Sequence, residues 1–139
     1  MNKFVFFTMD VESFFDTSCI KEKNIPFNID FDAEDGLNRY LDLLNQYDIK
    51  STLFLTVDTA KRWKSSLRCA MAEGHELAVH ALNHEDITNY GDEEFLATLI
   101  EAKERIEDIY GYEVRGYRAP CFGIDKRKIE LLKINREFE

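Results

Sequence analysis

Cysteine is scarce in this chain: Cys19, Cys69 and Cys121 are the three in 139 residues. They are widely separated and odd in number, and no Cys-x-x-Cys pair occurs. That pattern points away from a disulfide framework and from a cysteine-based zinc site. Positive charge is also in deficit. Eighteen Lys and Arg against 27 Asp and Glu leave a net charge of −9. A nucleic-acid or anionic-membrane binder would need a basic face, so neither partner is expected. No apolar run approaches the roughly 18 residues that suggest a membrane span. The apolar N-terminal run is interrupted at Asp10 and Glu12, too early for a signal peptide, and no small-residue cleavage site follows. A cytoplasmic, reduced location is the resulting expectation. Repeats, low-complexity tracts and linkers are lacking too, so residues 1–139 are expected to form one domain or part of one. Histidine is the last scarcity and the most informative: His75, His80 and His84 are the only three, and they fall in one ten-residue window.

What is present is globular: 45% hydrophobic, 13% aromatic and 32% charged residues, enough apolar material for a core. Residues 4–9 form a continuous apolar run that predicts a strand buried on both faces. Residues 13–30 predict a long loop, a length that is usually functional or disordered. A helix is predicted over 32–47, where Leu37, Tyr40, Leu41 and Leu44 recur at helical spacing. Residues 51–56 predict a second strand and 59–73 a second helix, stopped by Gly74. A third strand is predicted over 75–79 and a polar loop over 86–91. Residues 92–110 predict the longest helix, with Phe95, Leu99, Ile106, Ile109 and Tyr110 on its apolar face, a Glu101–Arg105 pair on its exposed side and Gly111 as its stop. Residues 113–117 predict a fourth strand, and a last helix begins at Lys126. This alternation gives an α/β fold of parallel strands joined by crossover helices, about four βα units.

In parallel α/β folds the chemistry gathers beyond the C-terminal ends of the strands. Asp10 and Glu12 end the first predicted strand, and in a strand positions i and i+2 share a face. His80 and His84 follow the third, and Arg118 follows the fourth. Two imidazoles, a carboxylate and open positions suit a hydrolytic zinc or a similar divalent ion. Plainer readings compete at each position. Asp10 and Glu12 could cap the next segment, and Arg118 could serve as a structural ion-pair partner. His75 precedes its strand and reads as structural or exposed. Cys121 has no histidine left to activate it and reads as a turn residue rather than a nucleophile. Asp35, Asp42 and Asp48 read as a solvated helix face.

Three stretches together resemble the polysaccharide deacetylases, the NodB-homology domain of carbohydrate esterase family 4. They are Thr8-Met9-Asp10-Val11-Glu12, the run from Gly74-His75-Glu76 to His80-Ala81-Leu82-Asn83-His84, and Gly116-Tyr117-Arg118-Ala119-Pro120-Cys121-Phe122-Gly123. The resemblance extends over 4–124 and implies a distorted (β/α) barrel of parallel strands. It implies that Asp10 is the general base and that Arg118 holds its carboxylate in place. It implies a divalent metal, zinc or another such ion, on Glu12, His80 and His84. Pro120, Cys121 and Phe122 would lie against the substrate, with the Cys121 backbone N–H near the developing oxyanion. The implied reaction is hydrolysis of an N-acetyl or O-acetyl group on a carbohydrate.

The chain also departs from that family. Val11 replaces the usual second aspartate, so the ligand role passes to Glu12. Ala81 stands where a serine or threonine is common. The later motifs, including a Leu-x-x-His bearing the general acid, are not in the 139 residues, so the domain is expected to be incomplete at its C-terminus. General acid catalysis typically contributes about 10²–10⁴-fold, so weak activity is expected from this chain alone. An open barrel would expose strand edges, which favours self-association or a covering partner chain. Two other readings stay open: a non-catalytic metal- or sugar-binding remnant of a deacetylase, and a related hydrolase of non-peptide C–N bonds.

Overall fold

The computed structural model describes residues 4–17, 20, 23–26, 32–135 and 138. Three parallel strands form the sheet: β1 (Phe7–Val11), β2 (Ser51–Thr56) and β3 (Glu76–Ala81), in the order β1-β2-β3. Helix α1 (Glu34–Gln46) joins β1 to β2. Helices α2 (Val57–Arg62) and α3 (Lys64–Ala72) join β2 to β3. Helix α4 (Asp92–Tyr110) follows β3, and α5 (Lys126–Asn135) follows the motif around Arg118. Strands are therefore added in one direction with a helical crossover each time, as the predicted alternation requires.

One sheet face carries Val11, Leu53, Leu55, Leu77 and Val79, all buried. The helices cover it with Leu37, Leu41, Trp63, Leu67, Phe95, Leu99 and Ile106. Each such side chain contributes about 1.5–3 kcal/mol by leaving water. The α1 stripe is as predicted, with Leu37, Leu41 and Leu44 buried and Tyr40 turned to Ser51 through a 2.9 Å hydroxyl contact. Helix α4 has the predicted bounds. Gly111 ends it at φ +66°, a left-handed conformation that glycine adopts without penalty.

Four predicted elements come out differently. The first strand begins at Phe7, not Phe4, and it is not buried on both faces. Phe4, Val5 and Phe6 are exposed, because among the described residues only β2 pairs with β1. The fourth strand shrinks to one parallel bridge, Val79–Tyr117. There Val79 N–H donates to Gly116 O at 2.8 Å and Arg118 N–H donates to Val79 O at 3.0 Å. The ladder goes no further because Val114 N–H is taken by the Glu107 carboxylate of α4 at 2.8 Å. The predicted helix over 59–73 is two helices, broken at Trp63, whose indole N–H donates to Asp32 Oδ2 at 2.9 Å. The third strand runs on to Ala81, so His80 lies within it. Part of the predicted 13–30 loop falls outside the described residues; its start is a 3-10 turn, Phe14–Asp16.

His75 is buried at the N-terminal end of β3, as a structural histidine. Ser51 N–H donates to its Nδ1 at 3.1 Å, which leaves the proton on Nε2, a buried atom without a hydrogen-bond partner among the described residues. Burial first, then the charge of Lys50, pushes its pKa below the ordinary 6.5. Below pH 6.5 the unfolded chain therefore binds a proton that folded His75 resists. This contribution to stability is full above the ordinary pKa and is lost as pH falls through and below 6.5. Denaturant unfolding at pH 7.5 and 5.5 is expected to show lower stability at pH 5.5. His75→Gln, whose amide oxygen can still accept from Ser51 N–H, is expected to shrink that difference. His80 is shifted in the same direction and keeps part of the slope.

Candidate metal centre and active site

Thr8 and Asp10 project from the open face of β1. Asp10 is in register with Phe54 of β2, which is in register with Ala78 of β3. Arg118 lies across this row. Its guanidinium carbon sits 4.1 Å above the Phe54 ring centre. Its Nη1 donates to Asp10 Oδ1 at 2.5 Å and its Nη2 to Thr8 Oγ1 at 2.8 Å. The planar fork thus binds two side chains of one strand and stacks on a third residue, a geometry lysine cannot reproduce.

His80 occupies an irregularity in the sheet. Leu55 pairs with Val79 and Thr56 pairs with Ala81, so His80 is the extra residue of a bulge. Such bulges re-aim a side chain near functional sites. Its ring makes a 2.8 Å hydrogen bond through Nδ1 to the backbone carbonyl of Arg118. A carbonyl only accepts, so Nδ1 carries the proton and the Nε2 lone pair faces outward. His84 takes a left-handed backbone conformation, φ +57°, uncommon for a side-chain-bearing residue and concentrated at functional sites. Its ring centre lies 5.3 Å from that of His80.

Glu12, just past β1, completes the group. Its Oε2 is 2.7 Å from His84 Nε2 and 3.7 Å from His80 Nε2. The oxygen is buried and, among the described residues, no hydrogen bond of good geometry satisfies it. The three candidate ligand atoms all lie within 4.8 Å of one another. A tetrahedral ion with ligands at about 2.0–2.1 Å separates them by about 3.3 Å, so a small closure would suit it.

The protonation states fit as well. The adjacent His84 imidazole holds the Glu12 carboxyl below the ordinary carboxylate range, against the opposing effect of burial. Burial lowers the His80 pKa, outweighing its bond to the Arg118 carbonyl and the nearby Asp10 and Glu12 charges. Near neutral pH these are the ligand forms, an ionised carboxylate and a neutral imidazole. The His80-to-carbonyl bond is the outer contact that metal-binding histidines ordinarily make. These residues fit a divalent ion.

Of the other predicted site residues, Pro120 is buried and borders a small cavity of about 10 Å³ behind His80. Cys121 is exposed at φ +52°. Phe122 is 84% exposed and, with Phe54, Tyr117, Arg118, Ile124 and Ile129, borders a groove of about 430 Å³. Asp35, Asp42 and Asp48 are exposed, as a solvated face should be.

Sequence reasoning missed one cluster. Arg62 Nη1 donates to Asp32 and Nε to Asp58, both at 2.8 Å, Nη2 donates to Ser13 Oγ at 3.1 Å, and Asp16 lies 3.6 Å away. The one local signal was the capping box of Ser13 and Asp16.

The polysaccharide deacetylase family profile matches residues 17–135. A peptidoglycan-N-acetylglucosamine deacetylase of Bacillus cereus is 26% identical over 82 residues, 59% of this chain and 30% of that protein. A solved Mycobacterium smegmatis structure assigned to the polysaccharide deacetylases superposes with a TM-score of 0.78 at 24% identity, covering 94% of this chain and 48% of the other. A CE4 family pseudoenzyme from Bacillus anthracis superposes with a TM-score of 0.67 at 19% identity, covering 75% and 37%. Both structures share the fold. The chain thus spans less than half of each of these relatives.

Proposed function

The chain belongs to the polysaccharide deacetylase family, and on that basis we propose that it hydrolyses acetyl groups of an acetylated glycan, the N-acetyl of an amino sugar above all, with a divalent ion, zinc foremost, on Glu12, His80 and His84. The observation that carries the proposal is the convergence of Glu12 Oε2, His80 Nε2 and His84 Nε2. Two segments far apart in sequence, the end of β1 and the end of β3 with the loop after it, deliver them to one point beside an Arg118-held Asp10. A bound divalent ion supplies Lewis acidity at the acetyl carbonyl oxygen.

The residues of the chain do the rest. Asp10, held at Oδ1 by Arg118, accepts a proton from the attacking water. The water oxygen bonds to the acetyl carbon, the proton taken by Asp10 passes to the nitrogen as the C–N bond breaks, and acetic acid and the free amine leave, exchanging a proton in solvent to give acetate and an ammonium. Phe122 offers an apolar face to a sugar ring beside this point. His80 and His84 serve the ion, and His75 lies at the opposite end of β3. None of the three histidines is left to protonate the amine, so among these residues that proton comes back from Asp10. A second reading is a domain that binds metal and glycan without turnover.

The test is acetate release from an acetylated chito-oligosaccharide, with zinc and after chelation. Zinc-dependent release supports hydrolysis. Zinc binding with no release under any divalent ion supports the binding reading. Absence of both overturns the proposal.

A further inference from the structure

We infer that Thr59 and Arg62, two residues of α2 remote in sequence from the site, are positioning residues that set the Glu12 carboxylate for the ion. The inference rests on the proposed metal reading and adds to it the device that holds this ligand.

Glu12 stands on the first residue beyond β1, where the ladder that fixes Asp10 has ended. A glutamate there has a free-standing backbone and a long side chain, and ordering both opposes ion binding. The chain is pinned immediately on either side. Before Glu12, Thr59 Oγ1 donates to Val11 O at 2.8 Å, the nearer of two carbonyls, the other being Thr56 O at 3.1 Å. The Thr59 hydroxyl also meets Thr56 Oγ1 at 2.9 Å, and Thr59 is fully buried. After Glu12, Arg62 Nη2 donates to Ser13 Oγ at 3.1 Å. Ser13 is itself tied down, its N–H donating to Asp16 Oδ2 at 2.6 Å and its Oγ accepting from Phe15 N–H at 3.2 Å. Thr59 and Arg62 are one helical turn apart, so they share a face of α2.

Arg62 is in turn fixed by carboxylates from two other places, Asp32 before α1 and Asp58 on α2. Its guanidinium supplies the three directions at once, which an ammonium cannot. Thr56 ends β2 and caps α2, its Oγ1 accepting from Thr59 N–H at 3.2 Å. The clamp is therefore anchored to the central strand. Sites of this kind need their ligands held to within about 0.5 Å, and the surrounding shell does that work.

Zinc affinity measured by calorimetry at pH 7 tests the inference. Thr59→Val removes the hydroxyl at nearly constant volume, Thr59→Ser restores it, and Arg62→Lys keeps the charge but loses the fork. Ile106→Val in the α4 core serves as a control for general destabilisation. Thr59→Val and Arg62→Lys are expected to weaken zinc binding about tenfold, with Thr59→Ser and Ile106→Val within about twofold of the unsubstituted protein. Cobalt loaded in place of zinc is expected to show weaker visible absorption in the two weakened variants, as a poorly held carboxylate yields to water. Should Thr59→Val fail to fold by circular dichroism, Arg62→Lys alone decides. Unchanged affinity in the folded variants, or an equal loss in Ile106→Val, overturns the inference while leaving the metal reading intact. No zinc bound by the unsubstituted protein overturns both.

Discussion

Replacing His84 with asparagine is expected to weaken zinc binding by more than about 100-fold, beyond the 10–100-fold typical of losing an outer contact. Asparagine is the informative substitution. His84 sits at φ +57°, where alanine would add backbone strain to the loss of the ligand. Asparagine tolerates the left-handed region at least as well as histidine, so the loop keeps its path and the loss reads on ligation alone. His84 Nε2 is also the group nearest Glu12 Oε2, at 2.7 Å. Without it Glu12 loses the main influence that holds its carboxyl below the ordinary range. Calorimetric titration with zinc, alongside a circular dichroism melt of the metal-free protein, measures both sides. Near-normal affinity in a folded His84→Asn protein would show that the imidazole is not a ligand.

Asp10→Asn is expected to lower acetate release about 10²–10⁴-fold, the usual worth of a positioned base. Zinc affinity is expected to stay within about threefold, because the three ligand atoms are untouched. The amide matches the carboxylate in shape, and its oxygen can still accept the 2.5 Å bond from Arg118 Nη1. What it loses is the capacity to take a proton from water. A fall in turnover matched by an equal fall in zinc binding would instead mean that Asp10 supports the ligands. Unchanged turnover would remove it from the reaction.

Much of the candidate site was legible because it follows from one rule about parallel sheets. Asp10, Glu12, His80, His84 and Arg118 stand at or just beyond strand ends, and a one-way β-α-β order brings those ends together. Helix α4 was legible from its apolar spacing and from Gly111. What was not legible depends on contacts between distant residues. Nothing local to residues 113–117 says that Glu107 of α4 will take the Val114 N–H that a fourth strand would need. Nothing near Trp63 says that Asp32 will hold its indole and split a helix in two. The bulge at His80 is a mismatch between two strands, visible only once their register exists. Arg62 reads in sequence as one more helix-face cation, and its carboxylate partner Asp32 is 30 residues away. The exposed Phe4, Val5 and Phe6 show the reverse error. An apolar run marks a strand, but only neighbours on both sides make it a buried one.

Glu12, His80 and His84 are expected to close around one divalent ion, which crystals of the zinc-soaked protein, with diffraction recorded on either side of the zinc absorption edge, would locate. One strong anomalous peak is expected about 2.0–2.2 Å from Glu12 Oε2, His80 Nε2 and His84 Nε2, with the His80 Nδ1 bond to the Arg118 carbonyl retained. No peak at that point, or a peak held by other residues while these three keep their contacts with one another, would contradict it.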